Sequence, residues 1–172
     1  NEYDPATGFW TVLGSMSIDR NFPAAAVVGG TIYVTGGWGG GGPQSSAEAY
    51  DPASGTWTPI TNMNSSRYAH AAANLHGKVY AVGGSNGGWL DTAERYDPVT
   101  TIWTNLPSMP GGARVYPAAA VAGGFLYVIG GGNGSPLGRN ERFDPGSGTW
   151  APRADMPTAR EGAAASSFKG KV

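Results

Sequence analysis

The 172-residue chain contains no cysteine, which excludes disulfides, thiolate metal sites and cysteine nucleophiles together. Histidine is nearly as scarce, with His70 and His76 the only imidazoles. Charge is sparse too: 13% of residues are charged and the net charge is −1, so no global field draws the chain to nucleic acid or to an anionic membrane. No apolar run approaches the roughly 20 residues needed to span a bilayer. The N-terminus, NEYDPATGFW, has neither the basic region nor the apolar stretch of a signal peptide, and nothing in the sequence names a compartment. Helical periodicity is absent. Asp19 and Asp91 lack the clustered acidic spacing of a cation loop. The glycine run Gly39–Gly42 lacks the Lys-Ser/Thr and the helix of a phosphate-binding loop and reads as a flexible loop. These absences leave no catalytic constellation, no metal site and no implied cofactor.

What is abundant is glycine (29) and proline (13) beside 40% hydrophobic residues, a combination that favours turn-rich β structure over disorder. The stretch Lys78–Leu106 contains the whole pattern: an apolar run closed by Gly83-Gly84, a polar loop, a Tyr96-Asp97-Pro98 corner and a strand around Trp103. The corner recurs at Tyr3, Tyr50, Tyr96 and Phe143, and the tryptophan at Trp10, Trp57, Trp103 and Trp150, both in steps of 47, 46 and 47 residues. Such a period means a solenoid or a propeller.

Each copy implies four strands. The first are small (PAAAVV, HAAANL, PAAAVA, GAAASS) and the second β-prone (TIYVT, KVYAV, FLYVI). Alanine is a poor strand former, so its recurrence needs crowding, as at the axis of a radial array. The two-residue turns Gly29-Gly30, His76-Gly77, Gly123-Gly124 and Lys169-Gly170 predict four hairpins, because glycine in second place fits the turns of positive φ. The expected fold is all-β, a β-propeller of four-stranded antiparallel blades. A part blade spans 1–13, blades about 21–62, 68–107 and 114–153, and a further part blade 160–172.

These residues resemble the kelch repeat family, in the small inner strand, the aromatic strand ending in Gly-Gly, the Glu-x-Tyr-Asp-Pro segment (Glu48, Glu94 and Glu141 precede their aromatics by two positions) and the later tryptophan. Positions 80–93 of one copy would complete four repeats, so the expectation is a piece of a longer propeller or a unit that completes its ring with another copy.

Recurrence separates framework from candidate function. Met16, Met63, Met109 and Met156 keep register and read as inter-blade filler, as do the four in-frame tryptophans. Trp38 and Trp89 are out of frame, in loops after the glycine pairs, where an aromatic either anchors a partner or folds over the neighbouring blade. Arg20, Arg67, Arg114 and Arg160 stand just before the inner strands. In similar kelch proteins that capture acidic peptides, this position, the residue after it and the residue after Gly-Gly contact the ligand. The resemblance thus implies Arg20, Arg67, Arg114 and Arg160, then Asn21, Tyr68, Val115 and Glu161, then Trp38, Ser85 and Gly132. Of these, Val115 and Gly132 offer no polar side chain and Glu161 would repel an anion. Guanidinium forks suit carboxylate recognition; alternatively each arginine pairs with Glu48, Glu94 or Glu141 or caps loop carbonyls. Arg139, unique to its loop, is a further candidate. His70 stands where Pro23 and Pro117 stand, and a lone histidine there is expected to be structural. The functional expectation is a noncatalytic module binding a protein or an acidic peptide. Carbohydrate binding or activity, and self-association into a larger ring, are the alternatives.

Overall fold

A computed structural model describes residues 1–172. Three four-stranded antiparallel sheets follow one another along the chain. The first contains β3 (Ala24–Val28), β4 (Thr31–Thr35), β7 (Ala47–Asp51) and β8 (Thr56–Ile60); a short hairpin, β5 (Trp38–Gly39) and β6 (Gly42–Pro43), interrupts it. The second contains β9 (Ala71–Leu75), β10 (Lys78–Val82), β11 (Ala93–Asp97) and β12 (Ile102–Leu106). The third contains β13 (Ala118–Ala122), β14 (Phe125–Ile129), β15 (Asn140–Asp144) and β16 (Thr149–Arg153). Each is a meander in chain order. Ahead of them lies a two-stranded ribbon, β1 (Glu2–Asp4) and β2 (Phe9–Thr11).

The alanine-rich strands β3, β9 and β13 lie beside one another, the crowding their small side chains imply. Strand β10 is buried on both faces. Val79 and Ala81 pack with Tyr33 and Met63 toward the first sheet, while Tyr80 and Val82 pack with Leu126, Val128 and Phe143 toward the third. The period of two along a strand sends alternate residues into two cores, which explains why KVYAV reads as a continuous apolar run.

The recurring residues have recurring contacts. Tyr50 faces Trp57, Tyr96 faces Trp103 and Phe143 faces Trp150 in register, with ring centroids 5.0, 5.2 and 5.1 Å apart. Such cross-strand aromatic pairs stabilise a sheet locally. The indole N–H groups of Trp57, Trp103 and Trp150 donate to the carbonyls of Gly14, Thr61 and Pro107 at 2.9, 2.9 and 2.8 Å, tying each blade to the segment before it. At the corners the Asp51, Asp97 and Asp144 carboxylates accept from the N–H two residues on. These turns close on Gly55, Thr101 and Gly148, all at positive φ.

Two expectations change. Gly39–Gly42 is not a flexible loop but the ordered β5–β6 hairpin, turning at Gly40-Gly41, both at positive φ. Lys169-Gly170 turns as its counterparts do, but the segment 163–167 forms no strand and only Phe168 and Lys171 pair.

Candidate functional site

The loops after the glycine pairs and the linkers entering β3, β9 and β13 meet at one end of the sheets. Asn21 pairs with Trp38, Tyr68 with Ser85 and Val115 with Gly132, each through two backbone hydrogen bonds of 2.7–3.0 Å. The position after the arginine and the position after Gly-Gly are therefore neighbours in every blade.

The arginines are not displayed there. Arg20 donates to the Gly36 and Ser46 carbonyls, both at 2.8 Å, and to Glu48 at 3.0 Å. Arg67 repeats the set with Gly83 at 2.7 Å, Thr92 at 3.2 Å and Glu94 at 2.8 Å. Arg114 pairs with Glu141 and touches the Met109 sulfur at 3.4 Å. All three side chains are almost fully buried. Their carboxylates also hold the linkers, accepting from the N–H groups of Ser17, Asn64 and Gly111. Burial pushes the Arg67 and Arg114 pKa values down, and the paired glutamates oppose that shift. A buried guanidinium persists only when paired and hydrogen-bonded in this way. Arg20, Arg67 and Arg114 are thus internal struts, with acid pairing in all three and carbonyl capping in the first two.

The glycine pairs belong to the same joint. The N–H groups of Gly37, Gly84 and Gly131 donate to the carbonyls of Arg67, Arg114 and Arg160 in the next copy, at 2.9, 2.9 and 2.8 Å. A Cβ on Gly36 would stand 2.2 Å from the Arg67 carbonyl oxygen, so only glycine permits the approach. Arg160 makes the same backbone contacts, yet its side chain is exposed and pairs with no carboxylate. Arg139 is half-buried beside Glu141, Asn140 and Asp155 around a depression of about 280 Å³.

The aromatic candidates are accessible. Trp38 is 39% exposed and lies edge-on to Tyr68 of the next blade, centroids 5.2 Å apart. Trp89 is 51% exposed and leans toward Gly134 of the following loop. Ser85 is buried, its hydroxyl accepting from Gly87 at 3.3 Å.

Two further aromatics, Phe22 and Tyr116, belong here and were not singled out. Each occupies the left-handed position before the inner strand, as do Ala69 and Gly162. These four residues form a backbone chain across the blades: Ala69 N–H donates to Phe22 at 3.0 Å, Tyr116 to Ala69 at 2.7 Å and Gly162 to Tyr116 at 3.0 Å. Phe22 and Tyr116 reach over Ala69 into an edge contact at 5.9 Å. In the sequence this position reads Phe, Ala, Tyr and Gly in successive copies, two residues after the recurring arginine.

His70, beneath this chain, is buried and shares a 2.9 Å hydrogen bond with the Thr35 hydroxyl of the first blade. Burial, reinforced by the nearby Arg67 charge, pulls its pKa down to about 3. It is a neutral inter-blade link, consistent with the structural role expected of it.

Four-stranded meanders stacked around small inner strands define a β-propeller of the kelch type. The kelch motif model matches residues 19–64, 66–110 and 113–157, and the chain belongs to the kelch repeat family. A solved structure titled "Structure of YjhT" superposes with a TM-score of 0.76 at 19% identity, over 89% of this chain and 57% of that one. The likeness is one of fold, and the chain spans little more than half of YjhT. No curated protein sequence matches the chain.

Proposed function

We propose that the chain is a noncatalytic interaction module that recognises a protein or peptide with the loop face of its blades. The observation that carries this reading is the set of Phe22, Trp38, Trp89 and Tyr116, all partly exposed at one end of a scaffold that buries Tyr50, Tyr96, Trp103 and Phe143. Exposed aromatics gathered on one face mark an interaction site. An acidic ligand would not meet Arg20, Arg67 or Arg114, which are spent inside the blades. Selection of a displayed random-peptide library on the protein, beside a glycan array, tests the reading. Enriched peptides are expected to lose binding to a Trp38→Ala/Trp89→Ala variant. Peptides indifferent to that variant, or binding confined to glycans, would refute it.

A further inference from the structure

The chain of left-handed residues across the blades builds a small cleft of about 200 Å³, lined chiefly by Phe22, Pro23, Ala69, Tyr116, Pro117 and Ala163. Most of its backbone hydrogen-bonding capacity is spent within the chain itself: the N–H groups of Ala69, Tyr116 and Gly162 donate to the carbonyls of Phe22, Ala69 and Tyr116. His70, in the floor, turns its Nε2 to Thr35 and leaves its Nδ1 without a partner. Apart from that nitrogen and the Tyr116 hydroxyl, the side-chain lining is apolar, under two edge-packed rings.

Such a cleft discriminates by chemistry. A sugar would bring several hydroxyl groups to a lining whose free side-chain polar atoms are the Tyr116 hydroxyl and His70 Nδ1, and an unpaired buried polar group is costly. A prolyl ring brings none: it is apolar and lacks an N–H, and a run of prolines is held extended before binding, so little entropy is lost in docking on an aromatic-lined surface. Charge adds a second constraint. Outside the buried pairs, the ionisable side chains of the loop face are Asp19, Asp91, Asp155 and Glu161 against Arg139 and Arg160. Acids outnumber bases, which complements a partner with basic flanks.

We infer that the cleft between Phe22 and Tyr116 takes a prolyl residue of an extended, proline-rich segment with basic flanks. This rests on the loop face being the binding surface, and it names the ligand class for that face. Ala69 provides the internal control: alanine already occupies the left-handed conformation in the second blade, at φ 53°, so alanine at 22 and 116 preserves the backbone chain.

The test uses the whole chain and a synthetic peptide of five prolines between arginines, with matched peptides carrying alanine for proline or aspartate for arginine, read by calorimetry. The arginine–proline peptide is expected to bind, both controls to bind more weakly, and a Phe22→Ala/Tyr116→Ala variant to lose about tenfold or more in affinity. Phe22→Tyr keeps the ring and should keep the affinity, and an unchanged melting midpoint shows that the double variant folds. The inference falls if proline gives no advantage over alanine, or if the double variant, folded, binds as the parent does. If library peptides still bind through Trp38 and Trp89 in that event, the broader reading stands without it. If no peptide of any kind binds, both fall.

Discussion

Acidification should loosen the joint between the first and second blades through one residue, His70. In the unfolded chain its imidazole titrates near 6.5, whereas in the folded chain burial beside Arg67 lowers the pKa to about 3. Between those values the unfolded state binds a proton that the native state refuses, so stability is intact above about pH 6.5 and falls as the pH drops toward 3. Each pH unit within the window costs about 1.4 kcal/mol, so moving from pH 7 to pH 5 costs about 2 kcal/mol. The informative comparison is His70→Pro, because proline occupies this position as Pro23 and Pro117 in the flanking copies and does not titrate. Urea midpoints of both proteins at pH 7, 6 and 5 measure the difference. The carboxylates whose pKa values are lowered, including Asp51, Asp97 and Asp144, are common to both proteins, so their contribution cancels in the comparison. The parent should weaken relative to the variant by about 2 kcal/mol at pH 5. Parallel loss in both proteins, or a His70 imidazole that titrates near 6.5 by NMR, would refute the argument.

Three further outcomes follow from the joints. Glu94→Gln strands the Arg67 guanidinium, which is only 1% exposed, and should cost about 3–5 kcal/mol in chemical denaturation. Thr101 sits at φ 58° where Gly8, Gly55 and Gly148 stand in other copies. Thr101→Gly should therefore stabilise by about 0.5–1 kcal/mol, the relief of left-handed strain less the added freedom of the unfolded chain. Trp150→Phe removes the hydrogen bond to the Pro107 carbonyl and should lower stability by about 1 kcal/mol. Trp10→Phe, on the exposed ribbon, should leave it unchanged, both read by thermal melting.

The blade was legible in the sequence because its constraints are local and repeated. The His76-Gly77 turn, the Asp97 corner and the Tyr96–Trp103 pair each announce themselves within a few residues, and register multiplies the signal. The site was legible only in part. Arg67 and Glu94 lie 27 residues apart, and a sequence cannot say whether a guanidinium that recurs faces solvent or a carboxylate; burial decided it. Trp38 and Trp89 were recognisable because they break the repeat. Phe22 and Tyr116 were missed because they lie far apart along the chain, and only inter-blade stacking brings their rings together above Ala69. The disordered look of the glycine-rich loop misled for a related reason. Gly40-Gly41 is a turn within a hairpin, and composition alone does not separate a turn from a coil.

The six indole N–H signals of the labelled protein, followed during titration with a library-selected peptide, test the central claim that the loop face binds and the recurring residues build. Trp38 and Trp89 should shift. Trp57, Trp103 and Trp150, tied to the carbonyls of Gly14, Thr61 and Pro107, should stay in place. Movement confined to these three, or to Trp10 on the exposed ribbon, would contradict the account.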